Sequence, residues 1–162
     1  SAVRELGLVR VQTITTPSFS DSPYAESPYE DQWIGGIVAV YYPINATSIG
    51  GVEADGFGAG TIFVDQFSTS AVASDILAGM TYGAQFGSGI TPLDLPANIH
   101  ADNAVGATVS GAGDVEGSEI TLIIARYGTV VVTVGVVHDP GMVEAEQLAI
   151  DLWLAVDAAQ SA

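Results

Sequence analysis

A two-residue period of apolar side chains marks three strands in the C-terminal part of the chain. It covers residues 105–110, 120–125 and 130–136, and in the last segment every second residue is a valine. Such a period is typical of a strand with one buried face. Gly128 follows Tyr127 between the second and third segments, where glycine can adopt the positive φ of a tight turn. The pattern therefore predicts three consecutive strands.

A helical period follows the last of these strands. Asp139 and Pro140 fit an N-cap and the first helical position, and the helix is expected to run to about Ala159. Its predicted buried stripe consists of Ala145, Ala149, Leu152, Trp153 and Val156. The acidic residues Glu144, Glu146, Asp151 and Asp157 are expected mostly on the solvent side.

The N-terminal half predicts two or three further strands and a second helix. The expected strands are Leu6–Ile14, Ile37–Tyr42 and Ala59–Asp65, and the expected helix is Ser68–Gln85, with Ser68 or Ser70 as its N-cap. Because Ile37–Tyr42 is apolar on both faces, it is expected to be central and covered on both sides. Residues 86–102 contain two prolines and predict a long connection. The chain as a whole predicts an α+β fold, an antiparallel sheet of five or six strands with two main helices packed on it.

At 162 residues, the chain has the length of a single globular domain, 1–162. Within it, prolines, serines and tyrosines concentrate in residues 16–34, which predicts a surface loop or arm. Tyr24, Tyr29 and Trp33 lie in this arm and are candidate ligand-binding residues, since exposed aromatic side chains often anchor a partner. The alternative is that such aromatic residues belong to the core.

The charge of the chain excludes several kinds of partner. There is no lysine, and 19 acidic residues stand against three arginines, for a net charge of −16. Nucleic-acid binding requires many lysines and arginines to neutralise phosphates, so we expect no nucleic-acid partner. Binding to anionic lipid head groups is disfavoured for the same reason. No apolar run is long enough to form a transmembrane segment, and the absence of cysteine excludes disulfides.

Few residues of the chain are suited to catalysis or metal binding. His100 and His138 each lie near an acid in sequence, Asp102 and Asp139, and such pairs can act as bases or bind metals. Turn acids more often cap backbone groups. No nucleophile motif or phosphate-binding loop is present, so no catalytic residue is predicted.

Three carboxylates in one turn are a candidate calcium site. They are Asp114, Glu116 and Glu119, and oxygen ligands on a loop suit a hard cation. The loop lacks the twelve-residue calcium pattern, and solvated turn acids are the alternative. No other cofactor is predicted.

The segments 120–156 and 60–80 resemble parts of a group of extracytoplasmic bacterial domains. The first reads ITLIIARYGTVVVTVGVVHDPGMVEAEQLAIDLWLAV and the second GTIFVDQFSTSAVASDILAGM. The group comprises the PsbP-like, LpqN-type lipoproteins and the PknH-type kinase sensor domains, in which a strand ending in arginine and a turn glycine, like Arg126 and Gly128, precedes a valine-rich strand and a helix. The resemblance implies no catalytic residues.

The resemblance implies an extracytoplasmic location, either secreted or anchored by a segment outside this chain. It also implies a non-catalytic binding or sensing function, with a protein or small molecule as ligand. The alternatives are a structural subunit that self-assembles at the cell surface and, third, a small hydrolase-like enzyme.

Overall fold

The computed structural model describes residues 8–16, 29–43, 57–86, 89–97, 99–110 and 118–160. Its strands are β1 (Leu8–Thr16), β2 (Trp33–Pro43), β3 (Phe57–Phe67), β4 (Ile90–Leu93), β5 (Asn103–Ser110), β6 (Glu119–Tyr127) and β7 (Val130–His138). Its helices are α1 (Ser70–Phe86) and α2 (Val143–Gln160), and a 3₁₀ turn, Glu30–Gln32, precedes β2.

The strands form one antiparallel sheet in the order β1-β2-β3-β7-β6-β5-β4. This confirms the α+β class and the antiparallel sheet with two helices packed on it. The sheet has seven strands, one more than the upper expected number of six. The additional strand is β4, inside the predicted connection 86–102. It contains Pro92, which an edge strand tolerates because its outer side needs no hydrogen-bond donor.

The two helices pack on opposite faces of the sheet. Successive residues of a strand point to opposite faces, so the apolar runs of β6 and β7 supply a buried surface to both helices. On the α2 face, Ile123 and Val132 are buried in a cluster with Trp153. On the α1 face, Ile124 and Val131 are buried in a second cluster with the apolar side of α1. The predicted stripe of α2 is confirmed, since four of its five members are fully buried: Ala145, Ala149, Leu152 and Trp153.

Both helices begin later than expected. Val72 N donates to Thr69 Oγ1 at 3.3 Å, so the N-cap of α1 is Thr69 and neither predicted serine. Before α2, Gly141 has φ = 79°, a left-handed value that a helical residue does not adopt. Asp139 and Pro140 therefore belong to a turn, and the helix begins at Val143.

Strand β2 is paired on both edges, with β1 and β3. Ile34 and Ile37 are nevertheless 61% and 45% exposed, so the expectation that this segment is covered on both sides is wrong. The helices pack mainly over β4–β7 and leave this part of the sheet open. Of the predicted arm 16–34, residues 17–28 lie outside the described residues, and its last residues form the 3₁₀ turn and the start of β2.

Candidate functional site

An apolar cavity of about 210 Å³ lies between the C-terminal half of α1 and strands β4, β5 and β6. It is lined by Met80, Ile90, Val105, Gly106, Ala107, Val109, Leu122 and Ile124. A dry apolar cavity of ~150 Å³ is enough to bind benzene. The space between α1 and the sheet is therefore large enough for one aromatic ring or a short acyl chain.

Small residues of β5 leave this space open. Ala107 stands between Val105 and Val109 on the row that faces α1 and places only a methyl group beneath the helix. Gly106 faces the opposite side of the sheet, where an added Cβ would lie 3.1 Å from Leu93 Cβ and that side chain would have to shift. A larger residue at position 107 would fill the cavity from below.

The described side chains that line the cavity are apolar, and Met80 contributes only a weak acceptor sulfur. Such walls can bind and orient an apolar group.

A buried carboxylate lies on the other face of the sheet, near the C-terminal end of α2. Asp157 is only 3% exposed, so its predicted position on the solvent side is wrong. Its oxygens accept hydrogen bonds from His100 N at 3.0 Å, from Ala101 N at 3.1 Å and from Tyr127 Oη at 2.8 Å. His100 Nδ1 lies 2.9 Å from Oδ2. We call these four residues the Asp157 cluster.

The Asp157 cluster shifts the pKa of two of its members. Burial on its own would raise the pKa of Asp157, but the hydrogen bonds from His100, Tyr127 and Ala101 outweigh it and hold the pKa below its ordinary value of 3.8. The pKa of Tyr127 is raised, first by burial and then by the bond from its hydroxyl to the carboxylate. Asp157 is therefore ionised at neutral pH and Tyr127 is a hydrogen-bond donor.

A second buried polar group lies near the N-terminal end of α2. His138 is 1% exposed, and its Nε2 lies 2.9 Å from Thr121 Oγ1. Thr121 Oγ1 in turn lies 3.0 Å from Thr108 Oγ1, which donates to Glu146 Oε1 at 3.2 Å. We call His138, Thr121, Thr108 and Glu146 the threonine network.

Neither of the two predicted histidine–acid pairs, His100–Asp102 and His138–Asp139, is formed between side chains. His100 contacts Asp157 instead of Asp102, whose carboxylate lies 3.0 Å from Arg126 Nη1. His138 contacts the backbone oxygen of Asp139 and not its carboxylate, with Nδ1 2.8 Å from that oxygen. His100 is therefore paired with an acid 57 positions away in the chain, and His138 is connected to Glu146 through Thr121 and Thr108.

Of the predicted calcium ligands, Asp114 and Glu116 lie outside the described residues. Glu119 accepts hydrogen bonds from Ser110 Oγ at 2.8 Å and Gly141 N at 3.0 Å. The Gly141 bond and then the Ser110 bond hold the pKa of Glu119 below its usual value. Within the described ranges, no three metal-binding side chains form a group. The calcium site stays a prediction.

Of the predicted aromatic anchors, Tyr24 lies outside the described residues. Tyr29 and Trp33 are partly buried against the cluster beneath α1, and Trp33 Nε1 donates to Asp65 Oδ1 at 2.8 Å. Neither is among the described residues that line the cavity. The sequence reasoning missed that cavity, although the single alanine in a row of valines was a signal for it.

The described residues define an α+β domain in which a seven-stranded antiparallel sheet carries one helix on each face. The extracellular domain of PknH from Mycobacterium tuberculosis has a similar fold, with a TM-score of 0.58 over 96% of this chain and 90% of that chain, at 13% sequence identity. This confirms the resemblance to PknH-type sensor domains at the level of the fold. The resemblance to PsbP-like and LpqN-type domains stays a prediction.

No protein-family model matches the chain, and no curated protein matches it. Neither α1 nor α2 has the length and hydrophobicity needed to cross a bilayer, and these are the helices of the described part of the chain.

Proposed function

We propose that this protein is a non-catalytic extracytoplasmic binding or sensing domain whose ligand is a small apolar molecule held between α1 and the sheet. The cavity above Ala107 is the observation that carries the proposal. The similar fold of the extracellular domain of PknH supports the extracytoplasmic location. Secretion or anchoring by a segment outside this chain is part of the same proposal.

The size and walls of the cavity define the ligand class. A volume of about 210 Å³ suits one ring system or a short acyl chain, and apolar walls favour burial of carbon and hydrogen at roughly 25 cal/mol per Å². The net charge of −16 disfavours anionic molecules at the surface. We therefore expect a neutral ligand, or a cationic one with an apolar body.

Titration with 1-naphthylamine, a neutral dye of one fused ring system whose fluorescence changes in apolar surroundings, tests the proposal. We expect saturable binding of one dye per protein and competition by octanol. Ala107→Leu fills the cavity floor and should weaken binding at least tenfold, with folding checked by circular dichroism and melting. Ile34→Ser is the matched control, because it removes an exposed apolar side chain outside the cavity and should leave binding unchanged.

Two results would contradict this proposal. One is the absence of saturable binding of the dye together with no shift of the cavity methyl resonances on addition of octanol or naphthalene. The other is binding that Ile34→Ser weakens and Ala107→Leu does not. Tyr24, Tyr29 and Trp33 stay proposed ligand-binding residues, and weaker binding of the dye by Tyr29→Ala would support a role of Tyr29 at this site.

A further inference from the structure

With a neutral His138 and an ionised Glu146, the threonine network has more hydrogen-bond contacts than it has hydrogens to form them. There are four contacts: His138 Nδ1 with Asp139 O, His138 Nε2 with Thr121, Thr121 with Thr108, and Thr108 with Glu146. Each contact needs one hydrogen between its two heavy atoms. A neutral imidazole brings one hydrogen and each hydroxyl one, so three hydrogens face four contacts.

The ring orientation does not remove this shortage. Asp139 O is a carbonyl that can only accept, and it lies 2.8 Å from Nδ1, so Nδ1 carries a hydrogen. A neutral ring then has no hydrogen on Nε2, and Thr121 must donate to it. Thr108 would have to donate to Thr121 and to Glu146 at the same time, which one hydroxyl cannot do.

One additional proton satisfies all four contacts, and it can lie at either end. With the proton on His138, Nε2 donates to Thr121, Thr121 donates to Thr108, and Thr108 donates to the Glu146 carboxylate. With the proton on Glu146, the carboxylic acid donates to Thr108, and both hydroxyls reverse direction toward Nε2. Buried polar groups are nearly always satisfied, because an unpaired one is costly.

We infer that the threonine network is a proton-binding site, in which one proton is shared between His138 and Glu146. The two residues lie on different elements, β7 and α2, and two hydroxyls of β5 and β6 connect them. Proton binding thus ties the first turn of the helix to the sheet.

Three acidic residues lie near His138 in the described part of the chain. Glu119 lies opposite His138 in the strand register, and its carboxylate accepts hydrogen bonds from Ser110 Oγ and Gly141 N. Asp139 follows His138 directly, and Glu146 is connected to it through Thr121 and Thr108.

Loss of the proton at higher pH must break one contact of the network. The Thr108–Glu146 contact is the longest, at 3.2 Å, and Glu146 is only half-buried, so water can replace it there. Deprotonation is therefore expected to release the first turn of α2 from β5. The site would make this helix end responsive to the pH of the medium.

Nuclear magnetic resonance of ¹⁵N,¹³C-labelled protein tests the inference. We expect a proton on His138 Nε2 or on Glu146 at pH 6, and both resonances should change with one common midpoint as the pH rises. The other histidine, His100, is paired with Asp157, and assignment of the ring signals distinguishes it from His138. A neutral His138 beside an ionised Glu146 at pH 6 would overturn the inference.

Two variants separate proton sharing from simple charge attraction. Thr108→Val keeps every charge but interrupts the network, and Glu146→Gln supplies the missing hydrogen from its amide. Each should remove the additional proton from the network at pH 6, leaving His138 Nε2 without a hydrogen. Glu144→Gln, on the exposed side of the same turn, should leave that proton in place. Equal effects of the Glu144 and Glu146 variants, with none from Thr108→Val, would also overturn the inference.

Discussion

Asp157 Oδ2 lies 2.9 Å from His100 Nδ1, although 57 positions separate the two residues in the chain. The backbone N–H of His100 donates to the same carboxylate at 3.0 Å. The C-terminal turns of α2 are thus tied to the segment between β4 and β5 by a buried charge. This contact explains why an acidic residue can occupy the sheet side of the helix, since buried charges are tolerated when they are hydrogen-bonded.

Replacement of Asp157 should destabilise the domain. In Asp157→Asn an amide NH2 group replaces one carboxylate oxygen, and its hydrogens point at His100 N, Ala101 N or Tyr127 Oη, which are themselves donors. These three donors also lose their charged acceptor. We expect a loss of ~2–4 kcal/mol in the free energy of unfolding, measured by urea denaturation. Asp151→Asn on the same helix is the control, because its carboxylate makes only an exposed contact to Gln147. Equal stability of the two variants would contradict the structural role of Asp157.

The stabilisation by Asp157 should depend on pH in the acid range. Its pKa in the folded protein lies below the ordinary value of 3.8, so its contribution is fully present above that value and is lost as the pH falls through the folded pKa. The difference in unfolding free energy between wild type and Asp157→Asn should therefore shrink between pH 6 and pH 3. A difference that stays constant over this range would show that the charge of Asp157 does not contribute.

Trp153 is fully buried in the cluster that α2 forms with β6 and β7. Trp153→Ala should cost ~3–5 kcal/mol through lost contacts and the cavity left behind, a large share of the ~5–15 kcal/mol typical of a domain. Glu144→Ala, at an exposed position of the same helix, should be nearly neutral. Thermal melting compares the two, and an unchanged melting temperature of Trp153→Ala would show that the helix is not docked there.

The net charge of −16 should make the melting temperature rise with NaCl at pH 7. Three arginines can pair with only a few of the 19 acids, so carboxylates repel one another in the folded state. Salt shortens the screening length from about 30 Å at 0.01 M to about 3 Å at 1 M. A melting temperature that falls with salt would contradict this.

Calcium should bind weakly or not at all at the turn that contains Asp114, Glu116 and Glu119. The carboxylate of Glu119 is already hydrogen-bonded to Ser110 Oγ and Gly141 N, and a calcium ion would have to compete with those donors. Isothermal titration into chelator-treated protein measures the affinity. A micromolar dissociation constant that Glu116→Ala abolishes would reverse the expectation.

Local patterns in the sequence were enough to predict most of the elements. The two-residue period of β5, β6 and β7 and the helical stripe that ends at Trp153 reflect which face of each element is buried, and that information is carried by near neighbours in the chain. The position of Gly128 in a turn is confirmed by its φ of 61°. The α+β class followed from the order of these elements.

Contacts between distant segments decided the rest. Asp157 was expected in solvent because a carboxylate is rarely buried without partners, and its donors come from β6 and from residues 100 and 101. The cavity lies where Ala107 of β5, which is smaller than its neighbours in the strand, is next to Met80 of α1 and Ile90 of β4. The spacing of residues along one segment does not encode which side chains of another segment lie opposite, so these sites became visible once packing had brought the elements together.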